Sequence, residues 1–167
     1  MSMWTNYSQG MPAGSAGGFY DLSEHTVDSR TNAQTDNTLK PGMGVVQGDK
    51  PGKNVKLPAT GATAASFEGI VINDTNREMD MEGELIIRSK TTVGVMRRGR
   101  VWVRIADGVS PKYGDPVYLV INGAGLGCFK TAADTTDSTT NTIEIKGRFI
   151  GEKDSSNIAP IELYNQN

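Results

Sequence analysis

From Pro41 onward the chain alternates short apolar runs with clusters of Gly, Pro, Asn, Asp and Ser, and no stretch sustains a helical period. Residues 44–46 and 55–57 are joined across Asp49-Lys50-Pro51-Gly52-Lys53, a turn by composition, and so predict a hairpin. Residues 67–72 follow; the unbroken triplet Ile70-Val71-Ile72 beside Gly69 predicts a strand buried on both faces or bulged near the glycine. Residues 84–88 and 92–96 predict two more strands, with a turn at Arg97-Arg98-Gly99. Residues 100–105 then alternate cleanly, with Val101, Val103 and Ile105 on one face. The run 116–121 leads into Asn122-Gly123, the strongest short hairpin signal, and predicts a return along 126–130. A polar loop over 132–141 precedes strands at 142–150 and 160–164. The fold class expected is all-β, a single barrel-like domain of short antiparallel strands.

The first forty residues read differently. They are polar and glycine-rich, as in Gly14-Ser15-Ala16-Gly17-Gly18, and bury too little apolar area to offset their ordering entropy. We therefore expect an extended N-terminal arm over residues 1–40 and the β domain over 41–167. The arm nevertheless carries Trp4, Tyr7, Phe19, Tyr20 and Leu22, spaced aromatic and apolar residues that suit a segment ordering against a partner; a leader with incidental aromatics is the other reading.

Composition narrows the function classes. Seventeen Lys and Arg against nineteen Asp and Glu leave a net charge of −2, so no field of one sign recruits nucleic acid or an anionic membrane. No apolar run approaches the roughly 20 residues of a membrane span, and the N-terminus lacks the pattern of a signal peptide. The single cysteine, Cys128, has no intrachain disulfide partner, which fits a protein made in a reducing cytoplasm.

Candidate chemistry is sparse. The one histidine, His25, lies far in sequence from Cys128, and reads as an exposed or interface side chain rather than a base; Cys128 reads as a small buried apolar residue. Glu78, Asp80, Glu82 and Glu84 would share one side of a strand, where they suit either a divalent cation or a solvated, charge-protected edge. Arg97, Arg98, Arg100 and Arg104 around Trp102 are a weak phosphate-contact signal, with cross-strand pairing to carboxylates as the plainer reading. No catalytic residue, metal ligand or cofactor is expected.

Several of these segments, in this order, carry a likeness. Gly10-Met11-Pro12-Ala13-Gly14-Ser15-Ala16-Gly17-Gly18-Phe19-Tyr20-Asp21, His25-Thr26-Val27-Asp28-Ser29-Arg30-Thr31, Gly42-Met43-Gly44-Val45-Val46, Val55-Lys56-Leu57-Pro58, Phe67-Glu68-Gly69-Ile70, Arg100-Val101-Trp102-Val103 and Gly114-Asp115-Pro116-Val117-Tyr118 succeed one another along the chain. In this the chain resembles the structural cement, or capsid decoration, proteins of tailed bacteriophages. The resemblance implies a β-barrel or β-tulip-like domain, a homotrimer at local threefold positions, and arms reaching over capsid or neighbouring subunits. It also implies a place on the outer capsid surface of the virion, with the major capsid protein and the protein itself as partners. Trp4, Tyr7, Phe19, Tyr20, His25 and Arg30 are the expected capsid or subunit interface residues, with neither nucleic acid nor membrane as a partner. Two other classes stand beside this one: a receptor- or glycan-binding β module stacking through Trp4, Trp102 and Tyr118, and a metal-dependent all-β enzyme using the acidic run.

Overall fold

The computed structural model describes residues 14–74, 78–79, 81, 83, 85–136 and 139–166. Its spine is a thirteen-residue strand, Thr92–Arg104, into which the two predicted strands and the turn expected between them have merged. Arg97-Arg98-Gly99 is not a turn. The register with the N-terminal strand places Thr26 opposite Arg98 and Val27 opposite Met96, so Arg97 is the extra residue of a bulge. Gly99 sits beyond it at φ 126°, a conformation that favours glycine.

In chain order the strands are β1 (Thr26–Asn32), β2 (Gly44–Gln47), β3 (Asn54–Lys56), β4 (Phe67–Val71), β5 (Glu78–Met79), β6 (Leu85–Ile86), β7 (Thr92–Arg104), β8 (Pro116–Val120), β9 (Phe129–Lys130), β10 (Thr135–Thr136), β11 (Thr139–Thr140), β12 (Thr142–Phe149) and β13 (Ile158–Leu163). One 3-10 turn, Ala64–Ser66, precedes β4 and is the only helical element among the described residues. No helix there is long and apolar enough to cross a membrane.

Strands β1, β3, β2, β4 and β7 pair in that order, and β1 pairs again with β7, closing a five-stranded barrel. A ring with an odd number of strands cannot be antiparallel throughout. The one parallel pairing is β1 with β3, Thr31 opposite Asn54 and Asn32 opposite Val55. From β7 the sheet continues through β13, β12 and β8 to β9, whose Phe129 makes a parallel bridge back to Ile105 at the end of β7. The first half of β7 thus builds the barrel and the second half the adjoining sheet.

Of the two apolar clusters, the smaller lies in the barrel, and the larger joins Phe67 and Ile70 of β4 and Met96 of β7 to the adjoining sheet. Val45, Val55, Leu57, Val71, Val93 and Val95 pack together in the barrel strands, with Leu39 and Ile87. The larger cluster holds the expected inward set Val101, Val103 and Ile105, with Leu119, Phe129, Phe149, Ile161 and Leu163 among the rest. The bulge expected near Gly69 is present: Val45 faces Gly69 and Val46 faces Phe67, leaving Glu68 as the extra residue. Gly69 has φ 147°, and a Cβ there would overlap the Met96 carbonyl.

Strand β1 falls within the span expected to be an arm, and its inward face explains why. Cross-strand neighbours share a face, so Asp28 opposite Val95 and Arg30 opposite Val93 point where those valines point, into the barrel. Arg30 lies 2.9 Å from Asp28 and 3.5 Å from the bulge residue Glu68, while the other bulge residue, Arg97, lies 3.6 Å from Asp28. The two bulges therefore bring one positive and one negative side chain to a second such pair on β1, and the four charges balance. Beyond them Asn32, fully buried, donates through Nδ2 to the carbonyls of Ile87 and Arg88 at 3.2 and 3.0 Å and accepts from Gln34 N–H at 2.9 Å. Replacing Asn32 by Ala takes the side-chain donor from the buried Ile87 carbonyl, whereas the Arg88 carbonyl keeps the Thr91 hydroxyl at 2.7 Å. We expect a loss of about 2 kcal/mol in urea unfolding, and a loss under about 0.5 kcal/mol would mean that the side chain does not hold β1 in place.

Candidate docking face on the N-terminal segment

The chain before β1 continues along β7. Gly17 N–H donates to the Trp102 carbonyl at 2.7 Å, Trp102 N–H to the Gly18 carbonyl at 3.0 Å, and Tyr20 N–H to the Arg100 carbonyl at 3.0 Å, with Phe19 bridged antiparallel to Val101. Trp102 thus directs both backbone groups at residues 17–18, and residues 17–20 and 26–32 both run antiparallel to β7. Gly14 lies against the Trp102 indole so closely that a Cβ would overlap the ring, and the Tyr20 ring lies 5.6 Å from it. The small residues here are what allow the backbone to lie flat.

Between these two stretches residues 21–25 leave the strand. Their ends are pinned by ion pairs, Asp21 to Arg100 at 2.8 Å and Glu24 to Arg98 at 3.2 Å. His25 packs over Gly99, where a Cβ would come within 2.7 Å of its own Cβ; its Nδ1 donates to the Ser23 carbonyl at 2.9 Å, and its ring meets Phe19 at 4.8 Å. The apex carries Leu22 at 96% exposure, with Phe19 at 42%. Beside it, a depression of about 200 Å³ is bounded by Ser23, Glu24, Arg98 and the half-exposed Tyr164.

A charge ladder backs this face. Arg100 bridges Asp21 and Glu162, the latter at 3.0 Å; Glu162 also holds Arg148 at 2.9 Å, and the Arg148 guanidinium lies over the Tyr113 ring at 5.4 Å. These are the carboxylate partners that the plainer reading of the arginines called for. Arg104 instead donates to the Pro41 carbonyl at 2.9 Å.

The expected interface residues are not all in one place. Phe19, Tyr20 and His25 belong to this segment, whereas Arg30 faces the barrel interior; Trp4 and Tyr7 lie outside the described residues. Leu22, the most exposed side chain of the loop, was visible only as one more apolar residue of the arm. The stacking set proposed for a glycan site is not assembled: Trp102 lies under Gly14 and Tyr20, and Tyr118 is on β8, separated from β7 by β13 and β12. Of the acidic run, Glu78 pairs with Arg88, and Asp80, Glu82 and Glu84 lie outside the described residues. Among the described residues no group of three His, Cys, Asp or Glu side chains could hold a metal ion. Burial pushes the Cys128 thiol above its ordinary range, against a thiolate at neutral pH.

The ladder gives a pH signature. Burial pushes the Glu162 carboxyl up, but hydrogen bonds and charge from Arg100 and Arg148 outweigh it, and hold the group below its ordinary range. Asp21 is likewise lowered, first by the Ser23 hydroxyl and backbone, then by Arg100. Groups with depressed folded values stabilise above their unfolded pKa, and that stability is lost as pH falls through the folded value. Melting temperature should therefore decline below about pH 4.5, and more shallowly in Glu162→Gln. A variant whose decline matches the wild type would remove Glu162 from the acid response.

Comparison with known proteins accords with this geometry. The family model described as structural cement protein (E217 gp24/Pam3 gp6) matches residues 3–164, nearly the whole chain. Among solved structures, a chain from the capsid of Myoviridae phage XM1 superposes with a TM-score of 0.71 at 19% identity, each chain covered over 100% of its length, a likeness of fold. A search of curated proteins gave no match. With a fold shared with a capsid chain and a family match spanning the barrel, the sheet and the segment that lies along β7, the chain belongs to the structural cement proteins of the phage virion.

Proposed function

We propose that the protein binds the outer surface of the phage head at junctions between capsomers, with the major capsid protein as partner, and stiffens the shell against the pressure of packaged DNA. The mechanism is burial of surface across a joint: separating two capsomers then also requires stripping the protein from both. An interface of roughly 800 Å² per partner suffices for useful affinity, and a homotrimer would multiply it through effective concentration. The observation that carries this reading is the anchored loop 21–25, which presents Leu22 outward beside the exposed Phe19 of the preceding stretch while ion pairs at both ends hold its shape. Preorganisation of this kind reduces the entropy lost on docking.

Of the residues expected at the interface, Phe19 and His25 stand on that face, and Tyr20 supports it from Trp102. Arg30 acts from inside by fixing the strand that carries the loop. Trp4 and Tyr7 would extend the contact as an arm. The arm proper, on this reading, is the stretch before β1 rather than all of 1–40, since residues 26–32 form barrel wall.

Co-sedimentation with heads lacking the protein tests the proposal. Saturable binding in a number of copies matching threefold sites, with greater heat resistance of the decorated heads, is expected; no binding at micromolar protein would overturn it. Leu22→Asp should fold as the wild type does and bind heads about tenfold more weakly, the scale of one lost apolar anchor. Undiminished binding by that variant would move the contact off this loop.

A further inference from the structure

At the end of the barrel where β1 and β3 finish and start, a concavity of about 500 Å³ is bordered by Lys50, Lys53 and Lys90, with Thr31, Thr35 and Ser89 between them. All three lysines are exposed, and no carboxylate lines the hollow. Elsewhere most cations have a partner, a carboxylate for Arg30, Lys56, Arg88, Arg97, Arg98, Arg100, Lys130 and Arg148. Among the described residues the other lysines and arginines have hydrogen-bond or charge partners, Lys112 alone excepted. Unanswered positive charge is therefore concentrated at one mouth of the barrel.

Backbone conformation adds a second, independent sign. Lys90 has φ 64°, a left-handed geometry natural to glycine; only Asn157 shares such a φ among the described non-glycine residues. It is held there by Asn32, whose carbonyl accepts Lys90 N–H at 2.8 Å and whose side chain grips the carbonyls of Ile87 and Arg88. A glycine would fit this turn with less strain, yet the position carries a long cation aimed from the rim. Strain maintained by its surroundings points to use of the side chain.

The chemistry of the lining selects the ligand. A compact phosphate would call for converging backbone N–H groups or an arginine fork, but the amides here are already engaged: Lys50 N–H by Asn54 Oδ1, Lys53 N–H by the Lys50 carbonyl, and Lys90 N–H by Asn32. No aromatic residue lines the hollow for a base to stack on. Separated ammonium groups with intervening hydroxyls suit carboxylates spaced along an extended chain. We propose that this lysine-rimmed barrel mouth is a docking site for an acidic segment of a protein partner. Its identification with a segment of the capsid shell rests on the cement reading above; the site itself does not.

The test uses the full chain, its triple variant Lys50→Gln/Lys53→Gln/Lys90→Gln, and Lys90→Gly. Each is titrated with labelled poly-L-glutamate and with inorganic tripolyphosphate, and then sedimented with heads. Wild type should bind poly-L-glutamate in a salt-sensitive manner, and the triple variant should bind it about tenfold more weakly while unfolding at the same temperature. Lys90→Gly should melt no lower than wild type and still bind less, separating the strain from the charge. Equal poly-L-glutamate binding by wild type and the triple variant, or a preference of wild type for tripolyphosphate, would overturn the site. Poly-L-glutamate binding without any head binding would sustain the site and contradict the capsid reading instead.

Discussion

Closure of the barrel by β1 is the constraint on which the rest of the structure depends. Without β1 the four remaining strands β3, β2, β4 and β7 would form an open sheet with exposed edges on β3 and β7. The closing strand contributes little apolar surface inward. Its inward positions are Asp28, Arg30 and Asn32, and they hold by charge and hydrogen bonding. Two bulges make that possible, because an extra residue in β4 supplies Glu68 and an extra residue in β7 supplies Arg97. Charges half-buried in this way add less stability than well-packed apolar residues would, but removing a partner of the buried Glu68 is costly. Polar closure therefore fixes where β1 sits more than how tightly it is held.

That arrangement also limits what can be read from sequence. Apolar runs located β4, β8, β12, β13 and the second half of β7, where Val101, Val103 and Ile105 alternate and bury themselves against an apolar core in the ordinary way. They could not locate β1, because Thr-Val-Asp-Ser-Arg-Thr-Asn places charged and amide groups on the buried side and no apolar period survives. They divided β7 because Arg-Arg-Gly has the composition of a turn; only the pairing with β1 shows the three residues to be a bulge and its glycine. The short ladder of β10 and β11 lies inside a stretch that composition marks as loop, and the Asn122-Gly123 return, expected along 126–130, is bonded to Val120 from Gly127 and Cys128 and forms the β9 ladder at Phe129–Lys130. Of the docking face, the spaced aromatic and apolar residues pointed to Phe19, Tyr20 and Leu22, and the family resemblance added His25. The exposure of Leu22 and the three lysines of the barrel mouth stand out only once burial and pairing are known.

Position along β7 links these features to function. The same strand carries barrel, adjoining sheet and N-terminal segment, so the loop at 21–25 is fixed to the most connected element of the molecule. Asn32 does a comparable service at the barrel mouth, where it ties β1 to the turn that presents Lys90. The proposed covering of capsomer joints would need contact surfaces that keep their shape before docking, and both candidate surfaces are held by residues of β1 or its extension.

Amide hydrogen exchange on the free protein tests that central role of β1 most directly. If β1 is barrel wall, the amides of Thr31 and Asn32, which donate to the carbonyls of Lys53 and Thr91, should exchange as slowly as those in the middle of β7. Exchange of residues 26–32 at the rate of an unstructured chain, with β7 protected, would contradict the account.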